Sequence, residues 1–179
     1  MNSNEINIAV VGATGAAGGT ALELLLERGH PANKITAMAS ARSAGRKIAY
    51  GDVELTVVEA KAEAFTGIDV ALFAAGGMVS RRLAHKAVEQ GVFVIDKGSI
   101  FRMDPTIPLV VPEVNANDIE WHPGIVSTPN CTTTPLVMVL DALRNLSAIT
   151  AVTVATYQSV TGTGVAAKEE LFEQSRVVL

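Results

Sequence analysis

The sequence is poor in aromatic residues and contains one cysteine, and both shortages exclude classes of function. Phe, Trp and Tyr make up 4% of the 179 residues, too few for a surface on which nucleic-acid bases stack. The formal net charge of −4 gives no general electrostatic reason to bind nucleic acids or acidic membranes. A single cysteine excludes an internal disulfide and suits a reducing cytoplasm.

Long apolar runs and metal-ligand clusters are also missing. No run of about 18 uninterrupted apolar residues occurs, so we expect no membrane span, and residues 1–5 lack the basic start and apolar block of a signal peptide. The three histidines and the cysteine are spread apart, which argues against a metal centre. What is present, 49% hydrophobic residues, is enough to bury the core of one domain, or of one domain and part of another.

A glycine-rich turn follows the first apolar run. Residues 6–11 are typical of a buried parallel strand, residues 12–18 (GATGAAG) carry Gly12, Gly15 and Gly18, and residues 20–28 show a helical pattern. Strand, glycine turn and helix are the context of a dinucleotide fingerprint, in which the helix N-terminus faces the phosphates. The spacing is G-x-x-G-x-x-G rather than G-x-G-x-x-G, and a turn that only lets a helix pack is the alternative.

The end of the second predicted strand, residues 34–40, bears on the choice of cofactor. It lacks the acid that usually holds the ribose 2′-OH of NAD. Arg42 follows instead, with Ser40 and Ser43 beside it. A guanidinium and hydroxyls donate hydrogen bonds to a 2′-phosphate, which favours NADP over NAD. A solvated polar loop is the alternative interpretation.

Strands and helices continue to alternate along the chain. This pattern predicts an α/β fold with a doubly wound, Rossmann-like parallel sheet. Gly76 and Gly77 follow a predicted strand, at the edge where such sheets bind ligands. The further predicted elements are a hairpin of residues 47–50 and 53–58, strands at 69–75 and 92–96, and a helix at about 80–90.

The cysteine precedes a third helical pattern. Ile125 and Val126 form a short apolar run, and the pattern from residue 135 to about 145 predicts a helix beginning at or just after Cys131. The positive end of a helix macrodipole favours thiolate, the nucleophilic form of cysteine. A small buried apolar residue is the alternative, as for most cysteines without a disulfide.

Two other segments complete the sequence-based predictions. Residues 97–115 form a long irregular stretch, in which Arg102 is placed to bind an anionic group, with a salt bridge to Asp104 or Glu113 as the alternative. Beyond residue 145 we predict a strand at 148–157, a turn-rich loop at 158–164 and a helix at 166–178.

Taken together, these motifs resemble aspartate-semialdehyde dehydrogenase along almost the whole chain. The resemblance implies NADPH-dependent reduction of L-aspartyl 4-phosphate to L-aspartate 4-semialdehyde and phosphate, in the biosynthesis of lysine, methionine and threonine, by a cytoplasmic homodimer. The matching segments are residues 12–18, 39–45, 101–104 with 108–115, 129–133 and 156–164.

The resemblance also implies roles for individual residues. Cys131 would form an acyl-thioester, with Gln158 helping to position the substrate, and Arg102 and Asn130 would bind the substrate and its phosphate. The residues that would contact NADP are Gly12, Thr14, Gly15, Ala16, Ala17, Ser40, Arg42, Ser43, Gly76, Gly77, Thr161 and Gly162.

The chain departs from the family in one loop and in length. Residues 97–100 are Lys-Gly-Ser-Ile, where the family commonly has Asn-Ser-Ser-Ala. Members are roughly twice as long, and their general-base histidine and a second arginine lie in a later segment. We therefore expect residues 1–130 to form the NADP-binding domain. Residues 131–179 would supply the first strand and helix of an incomplete α+β catalytic and dimerisation domain, and the chain alone would lack meaningful activity.

Two other functions remain open at this point. N-acetyl-γ-glutamyl-phosphate reductase shares the chemistry, although Asn130 stands where that family tends to have glycine. A nucleotide-binding module without catalysis is the alternative from another class.

Overall fold

The computed structural model describes residues 5–178. The chain divides into two compact units, Met1–Asn130 and Cys131–Leu179.

A six-stranded sheet organises the first unit. Its strand order is β5-β2-β1-β6-β7-β8, and every neighbouring pair in it is parallel. The strands are β1 (Ile8–Val11), β2 (Ile35–Ala39), β5 (Val58–Glu59), β6 (Val70–Phe73), β7 (Phe93–Asp96) and β8 (Ile125–Ser127). Since all of them run the same way, their carboxyl ends lie along one edge of the sheet.

The sheet is buried on both faces, as short apolar parallel strands require. Successive side chains of a strand point to opposite faces, and in β1 Val10 belongs to one core cluster and Val11 to the other. Helix α1 (Ala16–Glu27) contributes Leu22 to the first cluster, and α2 (Gly77–Val88) contributes Leu83 to the second. Helices thus cover both faces, which confirms the predicted doubly wound α/β fold.

Both helices begin earlier than the sequence pattern indicated. Helix α1 begins at Ala16 rather than near residue 20, and α2 begins at Gly77 rather than near residue 80. The first turn of α1 is Ala-Ala-Gly-Gly, whose small residues show no apolar periodicity, and α2 begins with a glycine, which is no signal of a helix start. The sequence-based prediction therefore placed both helix N-termini too far from the strands that precede them.

The predicted hairpin is correct in its turn but too long in its second strand. Strands β3 (Lys47–Tyr50) and β4 (Val53–Thr56) pair antiparallel as a separate two-stranded sheet. The buried Val57 then donates its N–H to the Arg46 carbonyl. Beyond it, β5 leaves the hairpin and pairs with β2 of the main sheet.

The irregular stretch before β8 is largely as predicted. It contains one helical turn, α3 (Pro112–Asn115), followed by 3₁₀ geometry over Ala116–Trp121. The Ser127 N–H donates to the Pro108 carbonyl, and the Val110 N–H donates to the Ser127 carbonyl. The stretch is thereby attached along the outer edge of β8.

The second unit contains helices and irregular backbone. Helix α4 (Thr133–Arg144) and α5 (Val165–Val178) form, separated by a 3₁₀ turn at Val160–Thr163. Both helices confirm the sequence predictions. The strand predicted over residues 148–157 is wrong, because this segment has no regular secondary structure. A strand needs a neighbour for its backbone hydrogen bonds, and no neighbour is found among the described residues.

Candidate functional site

Gly12 makes the turn at the end of β1. Its φ of +94° lies in a region that side-chain-bearing residues rarely adopt. A Cβ there would come within 2.9 Å of the backbone of Ala74 and Ala75, which follow β6. Glycine therefore lets two strand ends approach each other at the carboxyl edge of the sheet.

The other two glycines bring the N-terminus of α1 onto this turn. The Gly15 N–H donates to the Gly12 carbonyl at 2.9 Å, and a Cβ on Gly18 would collide with that same carbonyl. Gly15 occupies the N-cap position, and its helix has no side-chain cap among the described residues and no acid in its first turn. The first-turn N–H groups, at Ala16 and Ala17, are thus available to an anion.

The loop after β2 carries the predicted 2′-phosphate contacts. Residues Ala41–Ser43 form one 3₁₀ turn, closed by the Ser43 N–H donating to the Ser40 carbonyl at 2.8 Å. Ser40 and Arg42 are exposed, and Ser43 is half-buried. Within residues 5–178, no carboxylate forms an ion pair with Arg42. Its guanidinium can therefore face a ligand.

A second helix N-terminus lies at the same edge. Gly76 is the N-cap of α2, which again has no side-chain cap in the described part of the chain. The preceding Ala74 N–H donates to the Val11 carbonyl at 2.8 Å, so the start of this loop is fixed beside the end of β1. The residues around these two helix starts fit the pyrophosphate of a dinucleotide, which takes hydrogen bonds from such N–H groups.

Arg102 is held by backbone carbonyls rather than by acids. Its Nε donates to the Thr128 carbonyl at 2.9 Å, and Nη2 donates to the Lys97 carbonyl at 3.0 Å. The salt bridge considered from the sequence is therefore wrong for the described residues. A guanidinium has five N–H donors, and those on Nη1 keep their capacity to bind an anion.

Asp104 is engaged within its own turn. It accepts hydrogen bonds from the Thr106 N–H at 2.9 Å and from the Thr106 hydroxyl at 2.6 Å. These two bonds lower the pKa of the Asp104 carboxyl. The turn after Arg102 is thus closed by Asp104 without the guanidinium.

The sequence motifs gave no role to Asp96, although it lies at this same edge, in the strand next to β8. It ends β7, is fully buried, and accepts a 2.7 Å hydrogen bond at Oδ1 from the Ser80 hydroxyl of α2. Burial raises its pKa, while the Ser80 hydroxyl, the nearby Gly98 N–H and the charge of Arg102 act in the opposite direction. The sign of Asp96 in the sequence was a charged residue at the end of an apolar run that was predicted to be a buried strand.

Cys131 belongs to the second unit. It is exposed and lies two residues before the first helical residue of α4, Thr133. This confirms the predicted place beside a helix N-terminus and shows that the buried alternative is wrong. The first turn of α4 has no acidic residue that would oppose a thiolate.

The remaining predicted residues divide between the two units. Asn130 is half-buried and ends the first unit. In the second unit, Gln158 precedes the 3₁₀ turn that contains Thr161 and Gly162, and the Thr161 N–H donates to the Ser159 hydroxyl at 3.3 Å. Gln158 lies close to Gly162, where its amide would meet an added Cβ.

The described part of the chain holds no group of three or more His, Cys, Asp or Glu able to bind a metal ion. None of its helices combines the length and apolar character needed to cross a bilayer.

Known proteins resemble this chain over most of its length. The family model described as "Semialdehyde dehydrogenase, NAD binding domain" matches residues 7–122. Aspartate-semialdehyde dehydrogenase of Bacillus subtilis is 47% identical over 174 residues, which cover 97% of this chain and 50% of that protein.

Solved structures give the same relationship. Aspartate semialdehyde dehydrogenase II from Vibrio cholerae, complexed with ASA, superposes with a TM-score of 0.87 at 40% identity, covering 94% of this chain and 51% of that one. The Candida albicans enzyme, solved with NADP, has a TM-score of 0.64 at 27% identity, covering 79% and 47%. The chain thus spans about half the length of the relatives it matches.

Proposed function

Because the chain belongs to the aspartate-semialdehyde dehydrogenase family, we propose that it carries the cofactor-binding and nucleophilic parts of an enzyme that reduces L-aspartyl 4-phosphate. The products are L-aspartate 4-semialdehyde and phosphate, and NADPH is the reductant. The observation that carries the proposal is the exposed Cys131 at the start of α4, in a chain whose first unit has a glycine turn and two helix N-termini at one sheet edge.

The cofactor is proposed to lie across the carboxyl edge of the sheet. The glycine turn at Gly12, Gly15 and Gly18 admits the pyrophosphate to the N-terminus of α1, where N–H groups donate to its oxygens. Arg42 and the neighbouring serines bind the 2′-phosphate, for which a charged donor is suited. The further proposed contacts are Thr14, Ala16, Ala17, Gly76, Gly77, Thr161 and Gly162.

Cys131 is proposed to act as the acyl acceptor. Its thiolate attacks the carbonyl carbon of the acyl phosphate, the carbon–oxygen bond to phosphate breaks, and phosphate leaves with that electron pair. A thioester to Cys131 remains. Arg102 neutralises the departing phosphate through its available donors, while Asn130 and Gln158 hold the substrate.

Reduction then completes the turnover. Bound NADPH supplies the hydride. Once the acyl carbon is reduced, the hydroxyl of the resulting hemithioacetal gives up its proton and the carbonyl re-forms as the bond to sulfur breaks. The aldehyde is released and Cys131 returns to the thiolate. Proton transfers of this kind need a positioned acid or base. We propose none of the three histidines, His30, His85 and His122, as this acid or base.

The assignment of NADP can be tested by titrating NADPH and NADH onto the 179-residue protein. A charge-assisted hydrogen bond contributes about 1.5–3 kcal/mol, so we expect Arg42→Ala to weaken NADPH binding about tenfold or more and to leave NADH binding unchanged. Arg46→Ala, in the same exposed loop, is the matched control. Equal NADPH affinity in the Arg42→Ala and unmodified proteins would contradict the assignment.

The acyl-transfer step can be tested by mass spectrometry. We expect L-aspartyl 4-phosphate to transfer its aspartyl group to Cys131, giving a hydroxylamine-sensitive thioester, and Cys131→Ser to show no such adduct. This half-reaction is chosen because its proposed residues all lie within the chain. Acylation at equal rates in the Cys131→Ser variant would refute the role of Cys131.

The names of the relatives favour this reaction over reduction of an N-acetyl-glutamyl phosphate. Parallel incubation with both acyl phosphates separates the two, since faster acylation by the glutamyl compound would support the alternative. Cofactor binding without any acylation would favour the non-catalytic module. We further propose a homodimer in the cytoplasm, a location supported by the lone cysteine.

A further inference from the structure

Arg102 owes its position to two carbonyl groups from separate strands. The Thr128 carbonyl, just after β8, accepts from Nε, and the Lys97 carbonyl, just after β7, accepts from Nη2. A guanidinium is flat and rigid, so two acceptors on different nitrogens fix its plane. The direction of the remaining donors is therefore set by where Lys97 and Thr128 lie.

Asp96 connects these two carbonyl groups. Lys97 is its direct neighbour in sequence, and the Thr128 N–H donates to the Asp96 backbone carbonyl at 2.9 Å. The Thr128 hydroxyl lies 3.5 Å from the same oxygen. A displacement of Asp96 would move both acceptors that hold the guanidinium.

The Asp96 side chain is in turn anchored to α2. Its Oδ1 accepts the 2.7 Å hydrogen bond from the buried Ser80 hydroxyl. Its Oδ2 is buried and accepts no hydrogen bond from the described residues. Unsatisfied buried oxygens are costly, and Ser80 supplies the one side-chain hydrogen bond that this carboxylate accepts from the described residues.

Gly98 closes the loop over this carboxylate. A Cβ at position 98 would lie 3.1 Å from Oδ2 and 3.3 Å from Oδ1. The φ of Gly98 is not positive, so the backbone there suits a serine, and the Asp96 carboxylate has to give by a few tenths of an ångström to admit its Cβ. Its hydroxyl would stand beside the oxygen that has no donor.

We infer that Ser80 and Asp96 are positioning residues that aim Arg102 at the phosphate of the substrate. The anchor runs from α2 through the Ser80 hydroxyl to the Asp96 carboxylate, and from the Asp96 backbone to the two carbonyls that hold the guanidinium. The link to phosphate rests on the proposed function, whereas the fixing of Arg102 does not.

The first experiment observes Arg102 directly. In ¹⁵N-labelled 179-residue protein, the Nε–H resonance of Arg102 is assigned by its loss in Arg102→Lys. We expect Ser80→Ala to speed the solvent exchange of this hydrogen about tenfold or more, because its acceptor becomes mobile. Ser99→Ala, an exposed serine of the same loop, is expected to change nothing. Unaltered exchange in Ser80→Ala would overturn the inference.

Rescue separates positioning from a general loss of structure. Adding Gly98→Ser to Ser80→Ala supplies a new hydroxyl to Asp96, and we expect it to restore slow exchange. Gly98→Ala in the same background adds the carbon without the hydroxyl and should not. If Ser80→Ala reduces the folded fraction, the two double variants are compared with each other at equal folded fraction, and exchange that is no slower with Gly98→Ser than with Gly98→Ala would contradict the inference.

Titration with inorganic phosphate links the anchor to the substrate. We expect Ser80→Ala to weaken phosphate binding about fivefold or more, on the scale of one lost hydrogen bond. If exchange responds to the variants but phosphate does not bind the unmodified protein, the anchor stands and the phosphate role of Arg102 fails. If phosphate binds unmodified and Ser80→Ala proteins equally, the inference of aiming is overturned while the proposed phosphate site stands.

Discussion

The two units of this chain differ in how they use their apolar residues. The described part of the first unit has two core clusters built on a six-stranded sheet, with Phe73 and Val94 fully buried. In the second unit, no residue from 131 to 178 is buried, and Leu146 and Tyr157 are 83% and 96% exposed. The first unit is therefore stabilised by burial of apolar surface, a contribution that the described part of the second unit lacks.

This difference also divides the proposed functions. The cofactor turn and Arg102 lie in the buried, hydrogen-bonded framework of the first unit, where neighbouring strands fix each backbone. Cys131 and Gln158 lie in the second unit, in which no core fixes the backbone of residues 148–157. Cofactor binding is thus expected to depend on packing, and the reactivity of Cys131 on its adjacent helix.

The largest expected effect is a contrast in hydrogen exchange. Backbone N–H groups of β1 and β6 open only with the sheet, whereas those of residues 148–157 have no partner strand in the described structure. We expect protection factors to differ about 10³-fold or more between the two segments. Comparable protection in both, measured by mass spectrometry of peptide fragments, would show that the second unit has a core after all.

A matched pair of phenylalanines should give the next largest effect. Phe73 is fully buried and stacks on Phe65 with ring centroids 5.9 Å apart, so Phe73→Ala is expected to lower the free energy of unfolding by about 3–5 kcal/mol. Phe172 in α5 is 55% exposed, and Phe172→Ala is expected to change it by no more than about 0.5 kcal/mol. Urea unfolding measures both, and similar losses would contradict the comparison.

Sequence reasoning predicted most of the framework and missed the connections within it. The apolar runs indicated the parallel strands, and the glycines indicated the turn at Gly12, because both signals are local. The hydrogen bond between Ser80 and Asp96 spans 16 residues, a separation at which periodicity carries no information. The prediction of a strand at 148–157 was wrong for a related reason. Alternation of apolar residues indicates a preference for strand geometry, but it does not indicate whether a partner strand is present.

A smaller effect concerns the pH dependence of stability. Burial raises the pKa of Asp96, so above the ordinary aspartate value of about 3.9 the folded state retains a proton that the unfolded state has lost. The stability contributed by Asp96 is therefore greatest in acid and falls as pH rises through its raised pKa. We expect Asp96→Asn, which does not ionise and keeps an oxygen for Ser80, to remove this fall.

Urea unfolding from about pH 4 to pH 7, a range starting near the ordinary pKa, checks that expectation. Asp104 is the opposite case, because its pKa is lowered in the folded protein. Ionised Asp104 therefore stabilises the folded state at pH values above the pKa it has in the unfolded chain, and this contribution is lost as the pH falls. Asp104→Asn should therefore weaken the loss of stability below the ordinary aspartate pKa of about 3.9, which is measured by extending the urea unfolding to more acidic solutions. If the free energy of unfolding depends on pH in the same way in the unmodified and Asp96→Asn proteins, the assignment of a raised pKa to the buried Asp96 carboxyl is refuted.

The most direct test of the account asks whether the first unit binds the cofactor at its glycine turn. NADPH is titrated onto ¹⁵N-labelled 179-residue protein, and the account predicts shifts concentrated at residues 12–17, 40–43 and 76–77. Gly18→Ala should abolish them, because the added Cβ collides with the Gly12 carbonyl, whereas Gly19→Ala, whose Cβ meets nothing within 4 Å, should leave them intact. The absence of shifts at these residues, or equal binding by the two variants, would contradict the account.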